Sequence, residues 1–102
     1  MRKNMNLDEL LKDQLKDQRL ASMYLEECLA EGDLGLFKKA LKDVAAAQLG
    51  GMTALSQEGD LNRQALYRSL SEKGNPRLDT LTKVLDALGL RMGVVVKERA
   101  VV

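Results

Sequence analysis

The chain has no histidine and no tryptophan, one cysteine, one proline, and a single phenylalanine and two tyrosines as its only aromatics. Each shortage removes a class of function. Without histidine no Ser-His-Asp or Cys-His nucleophile can be assembled, and imidazole ligation of a metal is excluded. Cys28 alone supplies neither the thiolate set of a zinc site nor an internal disulfide, which fits a reducing compartment. "LGGMT" at 49–53 has two glycines but not the spacing or the lysine of a phosphate-binding loop, and reads as a helix stop. Glu26 and Glu27 are adjacent, so they lie about 100° apart on a helix and read as solvated charge. No enzyme and no cofactor are expected. The longest apolar run is too short to span a bilayer. The start, "MRKNMNLDELLKDQ", has no hydrophobic stretch and no small-residue cleavage site. No membrane association and a cytoplasmic location are expected.

What remains is an ordinary globular mixture. At 102 residues, 45% of them hydrophobic, the chain can build one modest core of Leu, Val, Ala and Met, and is small enough for dimerisation to help it. The net charge of +1 hides an asymmetry. Residues 1–31 hold five Lys/Arg against seven Asp/Glu, residues 32–61 three against four, and residues 62–102 eight against four. A local basic excess is one mark of a polyanion-facing surface, and is equally common on solvated faces.

Most of the chain has helical periodicity. "LDELLKDQL" (7–15) puts Leu7, Leu10, Leu11 and Leu15 on one face. "RLASMYLEECLAEG" (19–32) continues with Leu20, Met23, Tyr24, Leu25, Cys28 and Leu29 and stops at Gly32. Asp33 suits an N-cap for a helix over 34–48 that buries Phe37, Ala40, Leu41, Val44 and Ala45 and ends at Gly50-Gly51. A brief helix is expected at 52–58. Asn62 can cap the next, over 62–72, where Leu66 and Leu70 point inward and Arg63, Gln64, Tyr67, Arg68 and Ser71 outward. Pro76 stands at or just before the start of a helix over 78–88, with Leu78, Leu81, Val84, Leu85 and Leu88 on one side and Gly89 as its stop.

After Gly89 the period changes to two. "LRMGVVVK" (90–97) alternates Leu90, Met92, Val94 and Val96 against Arg91, Gly93, Val95 and Lys97, which predicts a short strand. No second strand is evident, so it needs a partner: the same strand of a second copy or an edge of another protein. An extended tail lying on the helices is the alternative. Leu90, Met92, Val94, Val95 and Val96 are thus candidates for a dimer or partner strand.

Two short helices separated by "EGDL" (58–61) and followed by a third make a helix-turn-helix pattern, with Leu55, Leu61, Leu66 and Leu70 as its small core. The outer face of the second helix is then free to enter a DNA major groove. Gln64 can pair with adenine, and Arg63 or Arg68 with guanine. Amides at the helix starts near Thr53 and at Asn75–Arg77 suit phosphate oxygens. The same side chains also fit a merely solvated face, with Tyr67 packing its ring on a neighbouring helix.

The stretches "AEGDLGLFKKALKDVA", "GMTALS", "RQALYRSLS", "GNPRLDTL" and "KVLDALGL" carry a resemblance. Over about residues 6–96 the chain resembles the probable addiction-module antidote family, bacterial helix-turn-helix proteins of the phage-repressor type. The resemblance implies an antitoxin that neutralises a RelE/HigB-like ribonuclease toxin encoded beside it and represses their shared operon, usually as a dimer on double-stranded operator DNA. Carried onto this chain, it makes 62–72 the recognition helix. Asn62, Arg63, Gln64, Tyr67 and Arg68 then face DNA, and Thr53, Asn75 and Arg77 contact its backbone. Two departures stand out. Ser56 replaces a commonly alanine position, and Gly59 comes one step early in the turn. Asp60 therefore falls where a positive φ is often needed, a conformation aspartate tolerates better than most residues.

The expected architecture is all-α: a repressor-like helix-turn-helix bundle of five to six helices with a short C-terminal β-strand. Residues 1–32 form an N-terminal helical extension, 33–89 the DNA-binding domain, and 90–102 the strand and tail. The competing function is a protein-interaction module that binds a toxin or other partner through its acidic N-terminal third or its strand, without DNA binding.

Overall fold

The computed structural model describes residues 6–98, along which six helices follow one another. They are α1 (Leu7–Gln14), α2 (Gln18–Ala30), α3 (Leu34–Leu49), α4 (Met52–Glu58), α5 (Arg63–Ser69) and α6 (Leu78–Ala87). The outer ends of the first and last expected segments, 1–5 and 99–102, lie outside the described residues.

Side-chain caps fix four of the helix starts. The Asp33 carboxylate accepts the Leu36 N–H at 3.0 Å, and the Asn62 amide oxygen accepts that of Ala65 at 2.8 Å. Both fill the roles their sequence positions predict, each worth about 1 kcal/mol. Two more caps carry no signal in the apolar spacing. Asn6 and Glu9 form a reciprocal capping box at the head of α1, and Asp17 accepts the Arg19 and Leu20 amides at the head of α2.

Helix α3 is the spine. Its Phe37, Ala40, Leu41, Val44 and Ala45 are all buried, as their spacing predicts. Helices α1, α2 and α4 pack on α3, and α5 and α6 join through α4. Leu15, Leu25, Leu55, Leu66, Leu70, Val84, Leu85 and Leu88 complete one continuous core.

Several predicted inward leucines are not buried. Leu7 is 82% exposed and Leu78 66%, each the first residue of its helix. Leu10, Leu20, Met23 and Leu29 are also exposed. A short helix laid on one neighbour buries a narrow stripe, so the rims of a wide apolar face stay in water.

The predicted C-terminal strand is absent: no strand occurs among the described residues. Its first residue instead completes the stop of α6. Gly89 takes φ 76°, its N–H donates to the Asp86 carbonyl at 2.9 Å, and the Leu90 N–H donates to that of Leu85 at 2.8 Å. This is a Schellman stop, and only a residue free of Cβ crowding enters it easily. Beyond it, Met92 is partly exposed, while Val94 (100%), Val95 (80%) and Val96 (90%) stand in solvent. The alternation is real, but a strand forms only against a second strand, and the described residues offer none.

One charged side chain joins the core. Lys38, on α3, is 4% exposed, and its ammonium donates to the carbonyls of Ser71, Glu72 and Gly74 at 2.8, 3.0 and 2.7 Å. All three of its donors are therefore used. Gly74 is pressed against the end of α5 so closely that a Cβ there would collide with the carbonyl oxygens of Arg68 and Ser69.

Candidate nucleic-acid interface

The α4–α5 connection presents the most distinctive polar surface. Asp60 adopts φ 53°, the left-handed value its position predicts, and among the described residues it is the sole non-glycine to do so. The Leu61 N–H closes the turn onto the Ser56 carbonyl at 2.8 Å. Ser56 itself is buried, with its hydroxyl donating to the Thr53 carbonyl at 2.7 Å. That internal bond satisfies the hydroxyl, so serine serves where a small residue is required.

Helix α5 is held from below by Leu66 and Leu70, each 1% exposed. Above them Arg63, Gln64, Tyr67, Arg68 and Ser71 border an open depression of about 850 Å³. Its lining holds two guanidinium groups and no carboxylate. The Arg63 guanidinium lies over the Tyr67 ring, 5.7 Å from its centroid, a cation–π contact that orders both side chains. Asn62 stands at the edge, its amide oxygen committed to the cap and its NH₂ available.

The remaining predicted contacts lie outside this depression. Thr53 is exposed in the first turn of α4, and Asn75 is exposed in the α5–α6 turn. Arg77 is the N-cap residue of α6, with its Nε 3.3 Å from the Asp79 carboxylate. Neither Gly51 nor Arg77 caps its helix through a side chain. In α6 the Asp79 carboxylate accepts the Thr80 N–H at 2.8 Å, leaving the Leu78 and Asp79 amides and those of the first turn of α4 for an external acceptor. Two residues enlarge the predicted set. Ser71 was legible, because it follows Tyr67 and Arg68 at helical spacing. Lys38 was legible only as an anomaly, a lysine on the same stripe as Leu41 and Ala45.

The candidate strand residues sit elsewhere. Leu90 and Met92 line a smaller depression of about 240 Å³ with Leu25, Leu29, Phe37 and Leu85. On another side of the bundle Tyr24, Lys39 and Asp43 form a small network. The Lys39 ammonium lies 3.0 Å from the Asp43 carboxylate, and this hydrogen bond pushes the lysine pKa up. Burial, then the Asp43 charge, raises that of the Tyr24 phenol. Burial also raises the Cys28 thiol, helped by Glu31 and Asp33.

Comparison with known proteins now decides the family. Residues 5–96 match the family described as "Probable addiction module antidote protein". The chain belongs to that family. It is also similar to an uncharacterized protein of Haemophilus influenzae, 34% identical over 93 residues that span 86% of this chain and 94% of that protein. No solved structure gives a significant match. Family membership makes the antidote half of an addiction module the functional class, with a toxin as the general kind of partner. Among the described residues of this antidote-family chain, no helix is long and apolar enough to cross a membrane.

Proposed function

We propose that this chain is the antitoxin of a type II toxin–antitoxin module and a sequence-specific repressor of its own operon. In this reading α4 and α5 are a helix-turn-helix of the phage-repressor type, and α5 enters the major groove. Gln64 and Arg68 read base edges, Arg63 is steadied by Tyr67, and Asn62 contributes its NH₂ group. Thr53, Asn75 and Arg77 meet the phosphates. The chain is neither an enzyme nor a carrier of a cofactor. It works in the cytoplasm as a homodimer, each copy on one half-site about 34–36 Å from the other, and it neutralises a RelE/HigB-like toxin.

One observation carries the DNA reading. Arg63, Gln64, Tyr67 and Arg68 share one exposed, carboxylate-free face on a helix whose other side is anchored by Leu66 and Leu70. Such a surface costs nothing to the core and matches the donor and acceptor chemistry of base edges. The deciding experiment is fluorescence anisotropy on the DNA upstream of its own gene, at two salt concentrations, beside Arg68→Ala. Saturable binding above a scrambled duplex, weakened by salt and by the substitution, is expected. Equal binding to both duplexes would sink the repressor reading.

A second reading draws on a different observation. Leu7 and Leu10 are exposed on a helix whose first turn holds Asp8 and Glu9, and Val94–Val96 are bare. If DNA is not bound, these surfaces make the chain a protein-interaction module for its toxin alone.

A further inference from the structure

We infer that Lys38 is a positioning residue for the exposed face of α5. Its buried ammonium latches the α5–α6 turn to α3 and so sets where Gln64 and Arg68 stand relative to Asn75 and Arg77. The functional half of this inference rests on the DNA reading; the latch itself does not.

A lysine on a small helical domain normally keeps its charged end in water. Lys38 does the opposite, at 4% exposure, and its partners are three backbone carbonyls. An apolar side chain of the same length would fill the space without the desolvation that a buried charge suffers. What an apolar chain cannot supply is direction. Three bonds from one nitrogen to Ser71, Glu72 and Gly74 fix that turn at one point over α3.

The turn is held from its other side by α5 itself. Gly74 sits against the carbonyls of Arg68 and Ser69 with no room for a side chain, and its N–H donates to Ser71 at 3.0 Å. The Arg68 carbonyl also accepts the Ser71 hydroxyl at 2.7 Å. The turn is thus clamped between Lys38 and the backbone of Arg68, a residue on the exposed face. Asn75 and Arg77 follow directly. Loosening the latch moves one set of DNA-facing groups against the other, and a duplex that must meet both loses affinity.

The test uses the full chain with Lys38→Met and Gly74→Ala. Gly74→Ala opens the turn from the other side with Lys38 intact, and so serves if the first variant folds poorly. Each is assayed by anisotropy on the upstream duplex and on a scrambled one at equal salt, and by hydrogen-exchange protection of the residue-74 amide, taken relative to that residue's intrinsic rate, without DNA. Either variant should lower upstream affinity about tenfold, keep scrambled affinity within about twofold, and reduce protection of the residue-74 amide. Unchanged protection in Lys38→Met overturns the latch. Reduced protection with unchanged upstream affinity overturns the positioning role. A native chain with no preference for the upstream duplex overturns the repressor reading and the functional half of this one together, and the exchange data tell that result apart from failure of the latch.

Discussion

Arg63 and Tyr67 lie one helical turn apart on α5, and the guanidinium of the first stands 5.7 Å from the ring centroid of the second. An unrestrained arginine samples many rotamers and gives up that freedom on binding. Here the ring collects part of that loss in advance, a contact worth about 0.5–1 kcal/mol at an exposed site. Tyr67→Phe should therefore bind the upstream duplex nearly as well as the native chain. Tyr67→Ala should bind several-fold more weakly, by about that energy. Anisotropy titrations of both variants settle it. Equal losses in the two would assign the role to the hydroxyl instead.

Base-reading and phosphate-meeting roles separate by their effects on sequence preference and salt. Gln64→Ala or Arg68→Ala should cost about 1–3 kcal/mol on the upstream duplex and relax base preference. Arg77→Ala should weaken all duplexes alike and reduce the salt slope by about one. Because Arg77 shares its charge with Asp79 at 3.3 Å, Asp79→Asn should strengthen binding to every duplex. A sequence-selective effect of Arg77→Ala would contradict the assignment.

Asp60 carries the backbone conformation on which the α4–α5 turn depends, at φ 53°. A β-branched residue there meets the left-handed penalty of about 1–2 kcal/mol, so Asp60→Val should lower stability by that amount in urea titrations. Asp60→Gly should leave stability unchanged or slightly raised, since relief of the crowding is offset by a more flexible unfolded chain. Equal stability of all three forms would mean the turn does not constrain this position.

How much of this could be seen beforehand depends on whether the cause is local. The Asp33 and Asn62 caps and the buried face of α3 arise from neighbours within one or two turns, and each was legible in the sequence, while the positive φ at Asp60 followed from the resemblance and its usual turn. Lys38 was legible only as a lysine out of place on an apolar stripe; its role was not, because its partners lie 33 to 36 residues away and consist of main-chain carbonyls that no side-chain pattern announces. Leu7 and Leu78 misled for a related reason: periodicity gives the direction of a face but not how far a neighbouring helix reaches along it. The alternation over 90–97 predicted a strand that the described residues do not form, because a period of two cannot supply the second strand a ladder needs.

Among the described residues, three groups hold their protons more tightly in the folded chain than their ordinary values imply. Cys28 is raised from an ordinary value of 9.0 by burial, Tyr24 from 10.0 by burial and Asp43, and Lys39 from 10.5 by its hydrogen bond to Asp43. In each case the folded chain keeps its proton to higher pH than the unfolded one. The unfolded state then binds fewer protons, so stability falls as pH rises. Urea midpoints should be insensitive to these groups at neutral pH and decline once pH passes 9.0, the thiol acting first. Cys28→Ala should flatten the first part of that decline, and Tyr24→Phe the later part. A native chain as stable at alkaline as at neutral pH would contradict all three shifts.

The bare valines after the α6 stop make the last prediction. Val94, Val95 and Val96 are almost fully exposed in the single chain, an apolar run that a soluble monomer has no reason to keep in water. If two copies pair through 92–96, the strand that a lone chain cannot form appears only in the dimer. Proline lacks the N–H a ladder needs, so Val95→Pro should abolish that pairing. It should leave the helices folded, because Val95 contributes nothing to the core, while loss of the dimer lowers the unfolding temperature by mass action. Sedimentation velocity of the two forms, with circular dichroism to count residues in strand, separates the outcomes. A native dimer converted to a helical monomer places the interface here. A dimer that survives the substitution moves it elsewhere.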